Sequence, residues 1–358
     1  MNILMIGPFP KPIHGMSIAN ENLFNCLSND NINVDKMDTV IHRVLKSKKE
    51  QGGFNFSLFI FSLWNMFLII KKILFSKYDI IYITPGQSAL GFLRFLPIIL
   101  ISKLKKNKII QHIHGSKLIY NYKNTNFIFK FLFLCSIKLT DSFILLSQKI
   151  KEEYKEIIPL SKISICLNGV KIPKNINHIN ENKKTNVLFL SNLMKDKGII
   201  DLFETINNFP FNDNYVFHFA GEIESPLKDY CYSFFRKNKD TCTYHGIVSG
   251  DKKEFLLSSA DIFILPSYDE GIPLSILEAY SYSCAVITTN VGGIPDIFEN
   301  QINGLYIEIG NTESIYQALI KARENIKNFK INNKNLSISK YSLSIFYETM
   351  KNIFYKVI

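Results

Sequence analysis

Short apolar runs alternate with longer amphipathic stretches along the chain. Asn2–Gly7 reads as a short buried strand ending in the turn Gly7-Pro8-Phe9-Pro10. His14-Gly15-Met16 follows, then a helical stretch with apolar residues at Ile18, Leu23 and Leu27. Strand, glycine-containing loop and helix form the opening unit of a doubly wound α/β domain. Asn33–Asp38 is a second candidate strand, and a basic loop, Lys46–Gly53, leads to the apolar segment Phe54–Phe75. Further strands are predicted at Asp79–Thr84, Lys108–His112 and Ser142–Leu146. Helices are predicted at Ala89–Leu104, Asn126–Leu139 and Gln148–Ile157.

The pattern resets near Asn168-Gly169-Val170. Residues Lys171–Thr185 are polar, contain Pro173 and hold no apolar cluster, which suits a linker. A second alternation starts at Val187–Ser191. It predicts helix Gly198–Asn207, strand Tyr215–Ala220, helix Leu227–Lys237 and strand Thr241–Gly246. Helix Lys252–Ser259, strand Ile262–Pro266, helix Pro273–Ser283 and strand Ala285–Thr289 follow, with helices after Tyr306. The expected layout is an N-terminal domain over 1–170, a linker over 171–185 and a second domain over 186–335. A C-terminal helix, 336–358, is expected to return to the first domain. The fold class is α/β, with two Rossmann-like doubly wound domains facing a central cleft, since ligands bind at the carboxyl ends of parallel strands.

Length agrees, because a single core rarely grows past ~250–300 residues and this chain has 358. With 47% hydrophobic and 20% charged residues it is not a disordered or solvating protein. Its 6 cysteines form no C-x-x-C pair, which argues against a disulfide framework or structural zinc and for a reducing cytosol. The start has no basic residue before its apolar run, unlike a secretory signal. Charge is lopsided. Residues 1–170 carry 22 Lys and Arg against 10 Asp and Glu, whereas residues 171–358 carry 20 against 21. A one-sided basic domain suits an anionic surface. Phe54–Ile70 is at the lower edge of spanning length, which needs ~20 apolar residues. It is read as a helix of the N-terminal domain, with at least one such helix lying on an anionic membrane surface. Nucleic acid is not an expected partner, because the basic residues accompany buried-type aromatics rather than exposed stacking residues.

Leu265–Gly293 holds the most chemistry. A strand ends at Pro266, and a short loop carries Asp269, Glu270 and Gly271. Pro273 suits the first turn of a helix, whose free amides at Leu274 and Ser275 favour an anion. Glu278 lies roughly 7.5 Å further along the axis at ~1.5 Å per residue. Phosphate on the amides, ribose hydroxyls on Glu278 and a transferred sugar at Glu270 would fit a nucleotide-sugar.

Glu270-Gly271-Ile272-Pro273-Leu274-Ser275-Ile276-Leu277-Glu278 resembles the E-x7-E motif of family-4 glycosyltransferases of GT-B fold. Ser259-Ala260-Asp261, Gly292-Gly293-Ile294-Pro295 and Asn303-Gly304-Leu305 match the flanks. Ser191–Gly198 resembles the family's G-R-L-x-x-x-K-G. Lys197-Gly198 fits it, but Asn192 stands where the Arg would grip the diphosphate. Asn lacks the cationic fork of Arg.

The resemblance covers roughly 185–310 well and the N-terminal half weakly. It implies a retaining transfer from a nucleotide diphosphate-sugar, a UDP-sugar favoured, to a lipid-linked or oligosaccharide acceptor of cell-surface polysaccharide. Glu270 would face the donor sugar and Glu278 the ribose. Gly15 would admit the diphosphate, and His114, in His112-Ile113-His114-Gly115, would sit at the cleft. His112 reads as a core histidine. No D-x-D triplet occurs, and neither metal nor cofactor is expected. The expected location is cytoplasmic, on the inner face of the plasma membrane. The alternatives are a nucleotide-sugar 2-epimerase of the same fold and a non-enzymatic membrane-binding module.

Overall fold

The computed structural model describes residues 1–11, 15–30, 32–39, 56–115, 117–174, 184–211 and 214–358. They divide into two compact units, Met1–Gly169 with Ser344–Ile358, and Val170–Leu343. His14, the loop 46–53, the start of the Phe54–Phe75 segment and residues 175–183 of the expected linker lie outside the described residues.

In the first unit the chain runs β1 (Asn2–Gly7), α1 (Gly15–Asn29), β2 (Asn33–Asp38), α2 (Phe56–Phe75), β3 (Ile80–Ile83), α3 (Ala89–Leu93) and α4 (Leu96–Leu104). It continues through β4 (Lys108–Ile113), α5 (Lys117–Lys123), α6 (Phe127–Leu139), β5 (Ser142–Leu145), α7 (Gln148–Tyr154) and β6 (Ile163–Ile165). All pairings are parallel, in the order β2-β1-β3-β4-β5-β6. β3 and β5 are buried throughout, as parallel strands covered on both faces must be. The Asn126 side chain caps α6 by accepting from Phe129 N.

Two expectations need correction here. The single helix read over 89–104 is two, interrupted at Arg94–Phe95, with Pro97 in the first turn of α4. Proline has no N–H and its ring crowds the preceding turn, so the helix restarts just before it. The helix read to Ile157 stops at Tyr154, and the chain then turns to Pro159. α5 and β6 are too short to leave a periodic signal in the sequence.

The second unit runs β7 (Thr185–Leu190), α8 (Ile199–Asn208), β8 (Tyr215–Ala220), α9 (Lys228–Lys237), β9 (Cys242–Tyr244), α10 (Gly250–Ser259), β10 (Ile262–Leu265) and α11 (Leu274–Ser281). Then come β11 (Ala285–Thr289), β12 (Gly304–Ile307), α12 (Thr312–Glu324) and α13 (Ile326–Lys340). Its parallel sheet has the order β12-β11-β10-β7-β8-β9.

The chain changes units at Leu343–Ser344, not at 335–336. α13 buries Phe329, Asn333 and Ser337 in the second unit, where Asn333 Nδ2 donates to the carbonyls of Cys284 (2.7 Å) and Asn303 (2.8 Å). α14 (Leu343–Val357) buries Phe346, Met350 and Phe354 in the first unit, with Phe354 edge-on to Tyr82. Tyr347 and Lys351 of α14 both donate to Asp30 Oδ2.

Candidate active site

The loop after β10 holds Glu270 in a network assembled from three strand ends. Ser267 Oγ donates to Glu270 Oε1 at 2.8 Å, and Lys197 Nζ lies 2.6 Å from the same oxygen. The Glu270 side chain is only 10% exposed. Lys197 arrives from the end of β7 on a single 3-10 turn, Lys195–Lys197, closed by Gly198 at φ 70°. A Cβ at Gly198 would lie 2.0 Å from the Pro266 carbonyl oxygen, so only glycine lets the two loops meet. Tyr268 N, donating to Asp196 O at 2.9 Å, fastens the same pair of loops. From the other side Gly293 N donates to the carbonyls of Glu270 and Gly271. Gly292, at φ 53°, approaches so closely that a Cβ would stand 1.7 Å from Glu270 O.

α11 begins one residue after Pro273, with no side-chain cap. The amides of Leu274 and Ser275 have no partner among the described residues. Ile272, Pro273 and Leu274 are buried, so what they offer a ligand is backbone. Glu278 follows one turn into the helix, and its Oε1 accepts from Lys253 Nζ of α10 at 2.6 Å. These side chains are 20% (Lys253) and 19% (Glu278) exposed. Each acid of the motif is thus held through one oxygen by a lysine. The second oxygen of each is left to accept hydroxyl donors, and a helix start that favours negative charge lies between them.

Asn192 does not join this cluster. It is exposed, and its Oδ1 accepts from Glu222 N at 3.4 Å, tying the end of β7 to the turn after β8. Gly15 and His114 belong to the other unit. Gly15 is the exposed first residue of α1. His114 follows β4 in a loop clamped by Gln87, whose Nε2 donates to His114 O (3.1 Å) and whose Oε1 accepts from Lys117 N (3.0 Å). A Cβ at Gly115 would meet the Gln87 side chain at 2.4 Å. His112 is fully buried, with Nδ1 2.6 Å from the Tyr82 hydroxyl. Burial, and then the neighbouring His114, hold its imidazole well below the usual histidine range, so it stays neutral. Beside it, at the ends of β1 and β3, the buried Asn20 amide bridges Pro8 O (2.9 Å) and Thr84 Oγ1 (2.8 Å), shaping the turn after Gly7.

Lys253, Ser267 and Gln87 escaped the sequence reading. A lysine in a surface-type helix, a serine and a glutamine in loops carry no local signal, because their partners lie 25, 3 and 27 residues away and only folding selects them. Among the described residues no group of three or more His, Cys, Asp or Glu is placed to hold a metal ion.

Residues 171–336 match the family model described as glycosyl transferases group 1. That match covers most of the second unit, Val170–Leu343. Curated relatives agree. The chain is 27% identical over 296 residues to the UDP-Gal:α-D-GlcNAc-diphosphoundecaprenol α-1,3-galactosyltransferase of Escherichia coli, covering 76% of this chain and 73% of that one. It is 26% identical over 209 residues to the N,N'-diacetylbacillosaminyl-diphospho-undecaprenol α-1,3-N-acetylgalactosaminyltransferase of Campylobacter jejuni, covering 54% of each. The chain thus spans about half the length of the Campylobacter relative. Among solved structures, Anabaena HepE in complex with UDP superposes with a TM-score of 0.73 at 14% identity, over 99% of this chain and 100% of that one. That likeness is one of fold: the two parallel six-stranded sheets have the GT-B architecture that the E-x7-E motif led one to expect.

Proposed function

We propose that the chain is a retaining glycosyltransferase that moves a sugar from a nucleotide diphosphate-sugar, a UDP-sugar favoured, to a lipid-linked acceptor in cell-surface polysaccharide biosynthesis. The observation that carries this reading is the pairing of Glu270 with Lys197 and of Glu278 with Lys253 around the open amides of Leu274 and Ser275. The diphosphate would rest on the amides and Lys197, the ribose diol on Glu278, and the transferred sugar against Glu270. Gly271, Ile272 and Pro273 would shape the loop around it. Family resemblance gives His114 and Gly15 roles toward the donor sugar and the diphosphate, and Asn192 an uncharged place near the leaving group. The acceptor hydroxyl would attack on the leaving-group face, and the departing diphosphate oxygen would take its proton. Catalysis would then rest on orientation and on electrostatic support of the leaving group. The diphosphoundecaprenol acceptors in the names of both curated relatives support a lipid-linked acceptor.

The membrane-facing part of the reading has its own support. α2 packs on α4, and α4 on α6. These helices expose Trp64, Phe67 and Phe75, then Leu104, then Phe127 and Phe131. Exposed Lys71, Lys105 and Lys106 stand on or beside them. Apolar side chains rimmed by lysines suit insertion at an anionic bilayer surface. No described helix is long and apolar enough to cross a membrane. The protein would work from the cytoplasmic side, peripherally bound.

The test is to offer candidate nucleotide-sugars to membranes or to a purified lipid-linked acceptor, with wild type, Glu278→Gln and Lys197→Ala compared. Transfer by wild type and its loss in both variants is expected. Equal transfer by all three would remove the assignment.

A further inference from the structure

Arg94 lies between α3 and α4 and is partly buried, yet among the described residues its side chain makes no hydrogen bond and no ion pair. Its Nε is buried without a partner. The guanidinium lies over the Phe95 ring at 4.8 Å. That contact uses its face and leaves its in-plane N–H donors unspent. A guanidinium does not give up its proton near neutral pH, so holding one partly buried, its Nε out of reach of water and without an anion, is costly and calls for an explanation.

A cavity of about 40 Å³ opens in front of it, lined by Thr39, Ser62, Asn65, Met66, Arg94 and Phe95 among others. At the ~10–15 Å³ that a water requires, this is room for about three waters, or for one phosphoryl group. The Thr39 hydroxyl is a second buried group without a partner. Thr39 immediately follows β2, with its amide on Gly7 O at 3.0 Å, so the cavity opens at the carboxyl rim of the N-terminal sheet. The walls are α2 and α4, whose outer faces expose Trp64, Phe67 and Leu104. Cation, hydroxyl and adjoining apolar surface together match an amphiphile with an anionic head.

We propose that Arg94 and Thr39 form a binding site for the phosphoryl or pyrophosphoryl group of an amphiphilic ligand, the lipid-linked acceptor. This inference rests on the acceptor class proposed above. In the strand order β2-β1-β3-β4, the end of β2 is three strand spacings, roughly 14 Å at ~4.8 Å each, from the end of β4 that carries His114. That leaves room for sugar between an anchored anion and the histidine.

The experiment uses the full chain with saturating UDP, so that the diphosphate cradle is occupied, and titrates inorganic pyrophosphate by calorimetry. Wild type should bind, Arg94→Gln should bind ~30-fold more weakly or worse, and Arg94→Lys should fall between, since a point charge replaces the fork. Without pyrophosphate, Arg94→Gln should unfold at the wild-type temperature or above, because an unpaired buried charge has gone. Pyrophosphate binding equal in wild type and Arg94→Gln, no binding by wild type, or a lowered unfolding temperature for ligand-free Arg94→Gln would each overturn the site. Phosphatidylcholine vesicles doped with polyprenyl diphosphate or with phosphatidylglycerol separate the sources. A loss in Arg94→Gln confined to the first supports the acceptor, and an equal loss on both overturns it in favour of bilayer headgroups. If wild type proves unable to bind any nucleoside diphosphate while pyrophosphate binding still depends on Arg94, the donor reading falls and this anion site stands.

Discussion

Gly292→Ala tests how the loop that carries Glu270 is held. Gly292 sits at φ 53°, where an L residue costs ~1–2 kcal/mol. Its new methyl would start 1.7 Å from the carbonyl oxygen of Glu270, and real Cβ atoms essentially never come within 3.0 Å. The backbones must therefore separate by more than ~1 Å, against the bonds from Gly293 N to Glu270 O (3.2 Å) and Gly271 O (3.0 Å). Strain plus overpacking amounts to about 2–5 kcal/mol. At ~2–4 °C per kcal/mol that lowers the unfolding temperature of the second unit by roughly 4–20 °C. The Glu270 peptide is the mobile side, because β11 is buried throughout. A shift of ~1 Å there costs on the order of 100-fold in transfer. Gly246→Ala is the control, for it has φ 70° with nothing within 4 Å, so it reports backbone strain alone. Thermal unfolding and sugar transfer would be measured on both variants. If Gly292→Ala matched Gly246→Ala in both, the idea that this glycine positions Glu270 would be wrong.

Lys253→Met should leave the Glu278 carboxylate without its cation, destabilise the second unit by about 1–3 kcal/mol given its partial exposure, and weaken nucleoside diphosphate binding by ~10-fold. Calorimetry should find the 2'-deoxynucleotide affected less, and Lys253→Arg should restore most of the loss. His218, whose Nδ1 lies 3.1 Å from His245 Nε2, is pushed down to about 4 by burial and then by His245. The unfolded chain takes up this proton near ~6.5 and the folded one does not, so the stabilisation is complete above ~6.5 and is lost as pH falls toward 4. Urea unfolding at pH 7 and pH 5 should show on the order of 1–2 kcal/mol more loss in wild type than in His218→Gln, and equal losses would contradict the assignment. Replacing Trp64 and Phe67 by serine should cut binding to anionic vesicles by ~10-fold or more and leave soluble nucleotide binding unchanged. Vesicle sedimentation that does not distinguish the double variant from wild type would exclude that face.

The amino-acid sequence by itself determined the two α/β alternations and marked out the stretch Glu270–Glu278 to which the donor chemistry is assigned in the proposal. Strand order of appearance follows from periodicity, and β8 and β11 fall where the apolar runs place them. The Glu270–Glu278 motif was legible because strand end, loop and helix start are contiguous, so one local stretch encodes both the acids and the free amides. Family resemblance then supplied the reaction proposed here, which spacing alone could not. Tertiary structure decided the rest. Lys253 has its meaning only because α10 packs beside α11. Gly292 matters because β11 delivers it beneath Glu270, Gln87 because it reaches across to the His114 loop, and Arg94 because α2 and α4 close a cavity around it. The change of units at Leu343–Ser344 likewise depends on which apolar face α13 and α14 each find to cover. Periodicity and capping act over a few residues and can be read in line, whereas partners brought together by packing are chosen by shape and burial across the whole unit.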